Sequence, residues 1–153
     1  MQIGFYAGSF DPFTNGHLKV IHEAAQVFDK VIIGMGVHPD KKRKFDKSKM
    51  KSAIEQTLIK EGLDNVEVVS YSNLTTDAAL DHSSTFLIRG IRNGTDYAYE
   101  ENIASINEEI SGLDTVYFRG NSCNISSSMV RELLKYGKDV SEYVPADVLK
   151  VMQ

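Results

Sequence analysis

From end to end the sequence alternates short apolar runs with amphipathic stretches, and this alternation limits the possible folds more than any single residue does. Apolar runs over residues 3–6, 31–37, 66–69, 85–88 and 115–118 have the length of strands. The run over 31–37 is continuous, as in a strand buried on both faces. Between these runs, Leu18, Ile21, Ala24, Ala25 and Phe28 recur at helical spacing. Met50, Ile54 and Leu58 mark a second amphipathic helix, with Asp46 as its N-cap. Residues 74–80 and 97–110 supply two further helices. Residues 128–136 read as a helix ending at Gly137, a residue suited to the left-handed position past a helix terminus. Pro145 opens a last short helix at the first-turn position, where proline is tolerated. Strands that follow one another through helices need crossover connections, so the chain is expected to form a doubly wound, parallel α/β sheet. Ligands bind such sheets outside the carboxyl ends of the strands, so each segment that follows a strand is a candidate site.

With 153 residues and 42% hydrophobic content, one domain over residues 1–153 is expected to bury its own core. The 17 basic and 21 acidic side chains give a formal net charge of −4. A chain that grips many nucleic-acid phosphates carries a basic excess, so no nucleic acid is expected as a partner. Small anions need only one or two local cationic clusters. The single cysteine, Cys123, excludes an intrachain disulfide and a C-x-x-C metal site, as suits a reducing compartment. The amino-terminal residues lack the basic start and apolar stretch of a signal peptide, and no apolar run approaches the length of a membrane span. A cytoplasmic location and no membrane partner are therefore expected.

Four segments carry possible chemistry. The first strand leads into Ala7-Gly8-Ser9-Phe10-Asp11-Pro12-Phe13-Thr14-Asn15-Gly16-His17. Gly8 lets backbone pass close to a ligand, Ser9 offers a hydroxyl, and Gly16-His17 opens a helix whose unpaired N–H groups attract anions. A Gly-His pair alone is better explained as an ordinary strand-to-helix turn. The whole string, with a small hydroxyl residue, Phe-Asp-Pro and then Gly-His, resembles the histidine signature of the nucleotidyltransferase superfamily. Next, Ile88-Arg89-Gly90-Ile91-Arg92 follows the strand over 85–88. Its arginines suit a phosphate cradle, or ion pairs with Asp96 or Glu100. Ser126, Ser127 and Ser128 precede a helix, where hydroxyls cap the backbone or hold phosphates. Lys41-Lys42-Arg43-Lys44 follows the second strand, as an anion site or as a solvated loop.

Taken in order, these pieces resemble the bacterial phosphopantetheine adenylyltransferases over nearly the whole chain. The match runs through residues 6–12, Thr14-Asn15-Gly16-His17, Lys41-Lys42, Ile88-Arg89-Gly90-Ile91-Arg92, Asp96-Tyr97-Ala98-Tyr99-Glu100, Asn107 and Ile125-Ser126-Ser127-Ser128. The histidine string marks the superfamily, whereas Ile-Arg-Gly-x-Arg with a downstream Tyr-Glu is closer to this one family. The resemblance implies a Rossmann-like fold, usually a homohexamer, and an adenylyl transfer. ATP and 4′-phosphopantetheine would give dephospho-coenzyme A and pyrophosphate, with Mg²⁺ as cofactor and no metal ligand from protein side chains. It implies a catalytic set of His17, Ser9, Lys41 and Arg92. ATP would be held by Ser9, Phe10, His17, Gly90, Arg92, Glu100, Ser126, Ser127 and Ser128. The acceptor would be held by Ser9, Lys41, Leu74, Arg89 and Asn107. The chemistry agrees, because a phosphate oxygen is already a nucleophile at neutral pH. Positioning and charge stabilisation are then enough, without a general base.

The chain departs from the family at several places. Ser9 replaces threonine, Ala7 replaces proline, and Lys44 stands where an apolar residue or proline is usual. Within residues 119–124, Ser122 and Asn124 stand near positions where bulky residues are usual. The resemblance therefore implies weaker adenine contacts there, and leaves regulation by coenzyme A open. A nicotinamide mononucleotide adenylyltransferase or a cytidylyltransferase shares the same histidine string. A non-catalytic nucleotide sensor would also carry it.

Overall fold

The computed structural model describes residues 1–120 and 125–153, the side chain of Thr95 excepted. Cys123 and the substituted positions Ser122 and Asn124 lie outside the described residues, and so does the expectation about adenine that rests on those two substitutions. The sheet has five strands, β1 (Ile3–Gly8), β2 (Lys30–Gly36), β3 (Val66–Tyr71), β4 (Phe86–Ile91) and β5 (Thr115–Arg119). They pair in parallel in the order β3-β2-β1-β4-β5. The chain first builds outward through β2 and β3, then returns past β1 to lay down β4 and β5. The strand order therefore reverses between β1 and β4, and their carboxyl ends form the switch point where such sheets bind ligands.

Helices cover both faces. α1 (Asn15–Val27), α2 (Lys47–Lys60), α5 (Ser127–Lys135) and α6 (Ala146–Met152) pack on the larger core with Tyr6, Val31, Ile33, Met35 and Ile88. α3 (Thr75–Asp81) closes the smaller core over Phe5, Ala7, Ile32 and Leu87, with α4 (Gly94–Ser111) beside it. The side-chain period of two sends alternate residues of β1 and β2 to these two cores, which is why both strands are apolar apart from Lys30 at the start of β2. Among the described residues no helix is long and apolar enough to cross a membrane.

Asp46 caps α2 as expected, its Oδ1 accepting the Lys49 N–H at 2.9 Å. Gly137 takes the left-handed conformation after α5, with φ of 74°. Most element boundaries shift by one to three residues from the sequence reading, and three of the shifts are instructive. Strand β4 runs through Ile91 rather than stopping at Ile88, because β5 continues the ladder opposite Arg89, Gly90 and Ile91. Arg89 therefore lies within a strand and not in the segment after it. α4 starts at Gly94, with Asn93 accepting the Asp96 N–H. Pro145 is the N-cap of α6 rather than its first helical residue.

Gly34 shows how tightly β1 and β2 are fitted. A Cβ placed there would fall on the ring of Phe5, which is fully buried. Gly34→Ala is expected to destabilise the protein by about 1–3 kcal/mol, the usual cost of an overpacked core. Thermal denaturation of the purified variant checks this; an unchanged melting temperature would show that Phe5 can move aside.

Candidate active site

Two cavities open at the switch point, each about 300 Å³. The first lies over α1 and α5 and is lined by Ser9, Phe10, His17, Gly90, Arg92, Glu100, Ser126 and Ser127, among others. The second lies over α3 and α4 and is lined by Ser9, Lys41, Leu74, Arg89 and Asn107, with His38 and Tyr71. Ala7, Gly8, Ser9 and Arg89 belong to both. Two ligands seated in these cavities would meet at the carboxyl end of β1.

His17 sits at the third position of α1, and its location follows from a capping box. Thr14 Oγ1 accepts the His17 N–H at 3.3 Å, and His17 Nδ1 accepts the Thr14 N–H at 2.9 Å. An imidazole that accepts at Nδ1 carries its proton on Nε2. The ring packs against Phe10 and Phe13 at centroid distances of 4.9 and 5.5 Å. Burial pushes its pKa down to about 3, and Arg89 and Arg92 push in the same direction. His17 is therefore a neutral donor whose orientation is set by the helix it caps. The tyrosine beneath it, Tyr6, is pushed up to about 12 by burial and stays protonated.

Arg89 and Arg92 have each found a carboxylate. Arg89 makes a fork to Glu100, Nε to Oε2 at 2.8 Å and Nη2 to Oε1 at 2.9 Å. Its Nη1 donates to the carbonyl of Ala7 at 2.7 Å. Burial opposes the charge, but the hydrogen bonds and charge of Glu100 prevail and hold the guanidinium above its ordinary pKa. Arg92 bonds Asp96 through its main-chain N–H and through Nε, at 2.9 and 2.8 Å. The hydrogen bond from the Arg92 side chain lowers the Asp96 pKa. The sequence offered phosphate cradle and ion pair as alternatives; here the arginines are ion-paired on the cavity walls.

The serines divide their roles. Ser126 caps α5 by accepting the Met129 N–H at 3.1 Å, and Ser127 donates to the carbonyl of Pro12 at 2.7 Å. Both line the first cavity. Ser128 does not; its hydroxyl accepts from Arg131 Nη2 at 3.2 Å. Lys41 and Leu74 are exposed at the rim of the second cavity. A third cavity of about 580 Å³ adjoins Ser9 and takes in His38, Lys41, Lys42, Arg43, Lys44 and Arg131. His38 and Arg131 were not picked out in the sequence; Asp11, Thr14 and Arg43 stood there only as members of longer strings, with no role of their own.

A helix-capping neutral histidine, two arginines and a serine-capped helix N-terminus around one cavity are groups of the kind that can bind phosphates. The cytidylyltransferase-like family matches residues 5–133, which places the protein among the nucleotidyltransferases. The phosphopantetheine adenylyltransferase of Rhizobium meliloti is 39% identical over 160 residues, covering 100% of this chain and 98% of that relative. The enzyme of the same name from Streptococcus pneumoniae (strain Taiwan19F-14) is 42% identical, covering 97% and 93%. The chain belongs to the phosphopantetheine adenylyltransferase family. A bifunctional NMN adenylyltransferase/ADP ribose pyrophosphatase from Francisella tularensis, complexed with AMP and a manganese ion, shares the fold. Its TM-score is 0.71 at 19% identity, over 99% of this chain and 52% of that one.

Proposed function

We infer that the protein transfers the adenylyl group of ATP to 4′-phosphopantetheine, releasing pyrophosphate and forming dephospho-coenzyme A. The observation that carries this reading is the pair of cavities that meet at Ser9 and Arg89. ATP belongs in the first cavity, whose Arg92 and serine-capped helix suit a triphosphate. The acceptor belongs in the second, where Lys41 and Arg89 suit a terminal phosphate and Leu74 and Asn107 border a longer arm. A phosphate oxygen of the acceptor attacks the α-phosphorus, that P–O bond forms, and the bond to the pyrophosphate bridging oxygen breaks. His17, donating from Nε2, faces charge that grows during this transfer.

Among the described residues no group of three or more His, Cys, Asp or Glu is placed to hold a metal ion. Asp96 and Glu100, the carboxylates at the first cavity, are both engaged by arginines. A Mg²⁺ ion would be borne by the nucleotide's phosphates, where it would supply charge neutralisation. Assembly into a homo-oligomer is supported by α4, which leaves Tyr99, Ile103, Ile106 and Ile110 exposed at helical spacing.

Release of pyrophosphate tests the reading, with ATP or CTP as donor and 4′-phosphopantetheine or nicotinamide mononucleotide as acceptor. Turnover only with ATP and 4′-phosphopantetheine is expected. Turnover with the other acceptor, or ATP binding without turnover, would overturn it. In the same assay Lys41→Ala should raise the acceptor KM about tenfold or more, the worth of one charge-assisted hydrogen bond, and leave the ATP KM nearly unchanged. A loss confined to ATP would reverse the assignment of the two cavities.

A further inference from the structure

The segment that carries Ser9 is tied down by side chains at every carbonyl from Ser9 to Pro12. Arg43 Nη1 donates to the carbonyl of Ser9 at 2.5 Å and Nη2 to that of Phe10 at 3.2 Å. Arg131 Nη1 takes the carbonyl of Asp11 at 2.7 Å, and Ser127 takes that of Pro12. Phe10 holds a left-handed φ of 48°, a conformation costly for a bulky residue and kept only where its surroundings enforce it.

Arg43 also binds its own loop. Its Nε donates to the carbonyl of Phe45 at 3.2 Å, and its Nη2 lies 3.7 Å from Asp11 Oδ1. Asp11 returns the link by accepting the main-chain N–H groups of Lys44 and Phe45 at 2.8 and 2.9 Å. Both side chains are largely buried, at 13% and 10% exposure, whereas Lys41, Lys42 and Lys44 on the same run are exposed. One guanidinium thus joins two segments: residues 9–11, at the wall shared by both cavities, and residues 41–45, which bring Lys41 to the second.

We propose that Arg43 is a positioning residue for the transfer, fixing the Ser9 segment and the Lys41 segment as one unit so that donor and acceptor phosphates meet in register. A peptide is planar, so holding the Ser9 and Phe10 carbonyls toward Arg43 turns the N–H groups of Phe10 and Asp11 the opposite way. Lysine cannot replace the guanidinium here, because the task needs several donors in a fixed fork. The inference rests on the adenylyl-transfer reading, since it assigns Arg43 to that reaction.

The test compares wild type with Arg43→Ala and Arg43→Lys. It measures kcat, the KM of each substrate, ATP affinity by calorimetry without acceptor, and melting temperature. Both variants should lose kcat by about tenfold or more, as expected when reacting groups drift by a fraction of an ångström. Arg43→Lys, which keeps a cation beside Asp11, should melt closer to wild type than Arg43→Ala. Guanidinium ion at low millimolar concentration should restore kcat of Arg43→Ala several-fold, whereas the same concentration of sodium chloride should not. A Lys variant that turns over within twofold of wild type would overturn the proposal. So would a loss of kcat that guanidinium does not lift. The reaction assignment fails separately, if wild type itself releases no pyrophosphate from 4′-phosphopantetheine and ATP. In that event calorimetry decides: weaker ATP binding by Arg43→Ala, reversed by guanidinium, upholds Arg43 as a positioning residue, and unchanged binding removes it.

Discussion

His17→Ala is expected to lower kcat by roughly 10²–10³-fold, the usual cost of removing one donor from developing charge, while ATP affinity changes little. The reason is the state of the ring. Nδ1 is occupied by the Thr14 N–H, so the proton resides on Nε2, and a pKa of about 3 keeps the ring neutral at ordinary pH. Alanine removes a second thing, the return half of the α1 capping box, in which Nδ1 accepts the Thr14 N–H; the Thr14 cap itself stays, so the loss of stability is at most about 1 kcal/mol. His17→Gln separates the two effects, because glutamine at the third helical position rebuilds a capping box with a threonine N-cap. Its melting temperature should return toward wild type while kcat stays low. If glutamine restored turnover, His17 would serve only the helix. The pH dependence has a definite sign. The folded-state pKa lies below the ordinary value of 6.5, so the neutral form belongs to the folded protein. That contribution is complete above pH 6.5 and is lost as pH falls toward 3. Wild type should therefore lose stability relative to His17→Gln over that acid range, and a constant difference between them would contradict the assignment.

Much of this architecture was legible in the residues. Strands that must be apolar on both faces announce a parallel sheet, and the caps at Asp46 and Ser126 follow from short-range chemistry that any helix start obeys. The boundary of β4 was not legible. Arg89 reads as polar and hence as loop, yet the ladder to β5 carries it inside the strand, and Glu100 from α4 meets its charge. The pair with Glu100 stood among the alternatives in the sequence, but hydrophobic pattern could not show that a strand would carry Arg89 to it. The same blindness hid Arg43. In the sequence it is one of four consecutive cations, and only the fold buries its guanidinium under the Ser9 segment. Ser128 is the reverse case, a residue of the serine run that the helix turns away from the cavity and toward Arg131. The motifs thus marked which segments converge, while tertiary contacts decided which side chain of each segment faces the cavity.

Separating Arg89 from Glu100 is expected to destabilise the protein and to cost it turnover. The pair is a fork in which Glu100 is 10% exposed and Arg89 36%. Breaking a fully buried pair by removing one partner costs several kcal/mol; with Arg89 partly solvated, on the order of 2 kcal/mol is expected. For a chain of this length that corresponds to a melting temperature lower by roughly 4–8 °C. Arg89→Ala leaves the buried Glu100 carboxylate without its cation, and Glu100→Ala leaves a guanidinium, which cannot give up its proton, without its carboxylate. Replacing both, as Arg89→Met with Glu100→Leu, removes the unpaired charge and should recover most of the lost stability. It should not recover turnover, because the proposed partner of the acceptor phosphate is gone and the Ala7 carbonyl has lost its donor. The acceptor KM should stay at least about tenfold above wild type, the worth of a charge-assisted contact. Full activity in the stable double variant would mean that the pair serves the fold alone, and the acceptor phosphate would then belong to Lys41 and its neighbours.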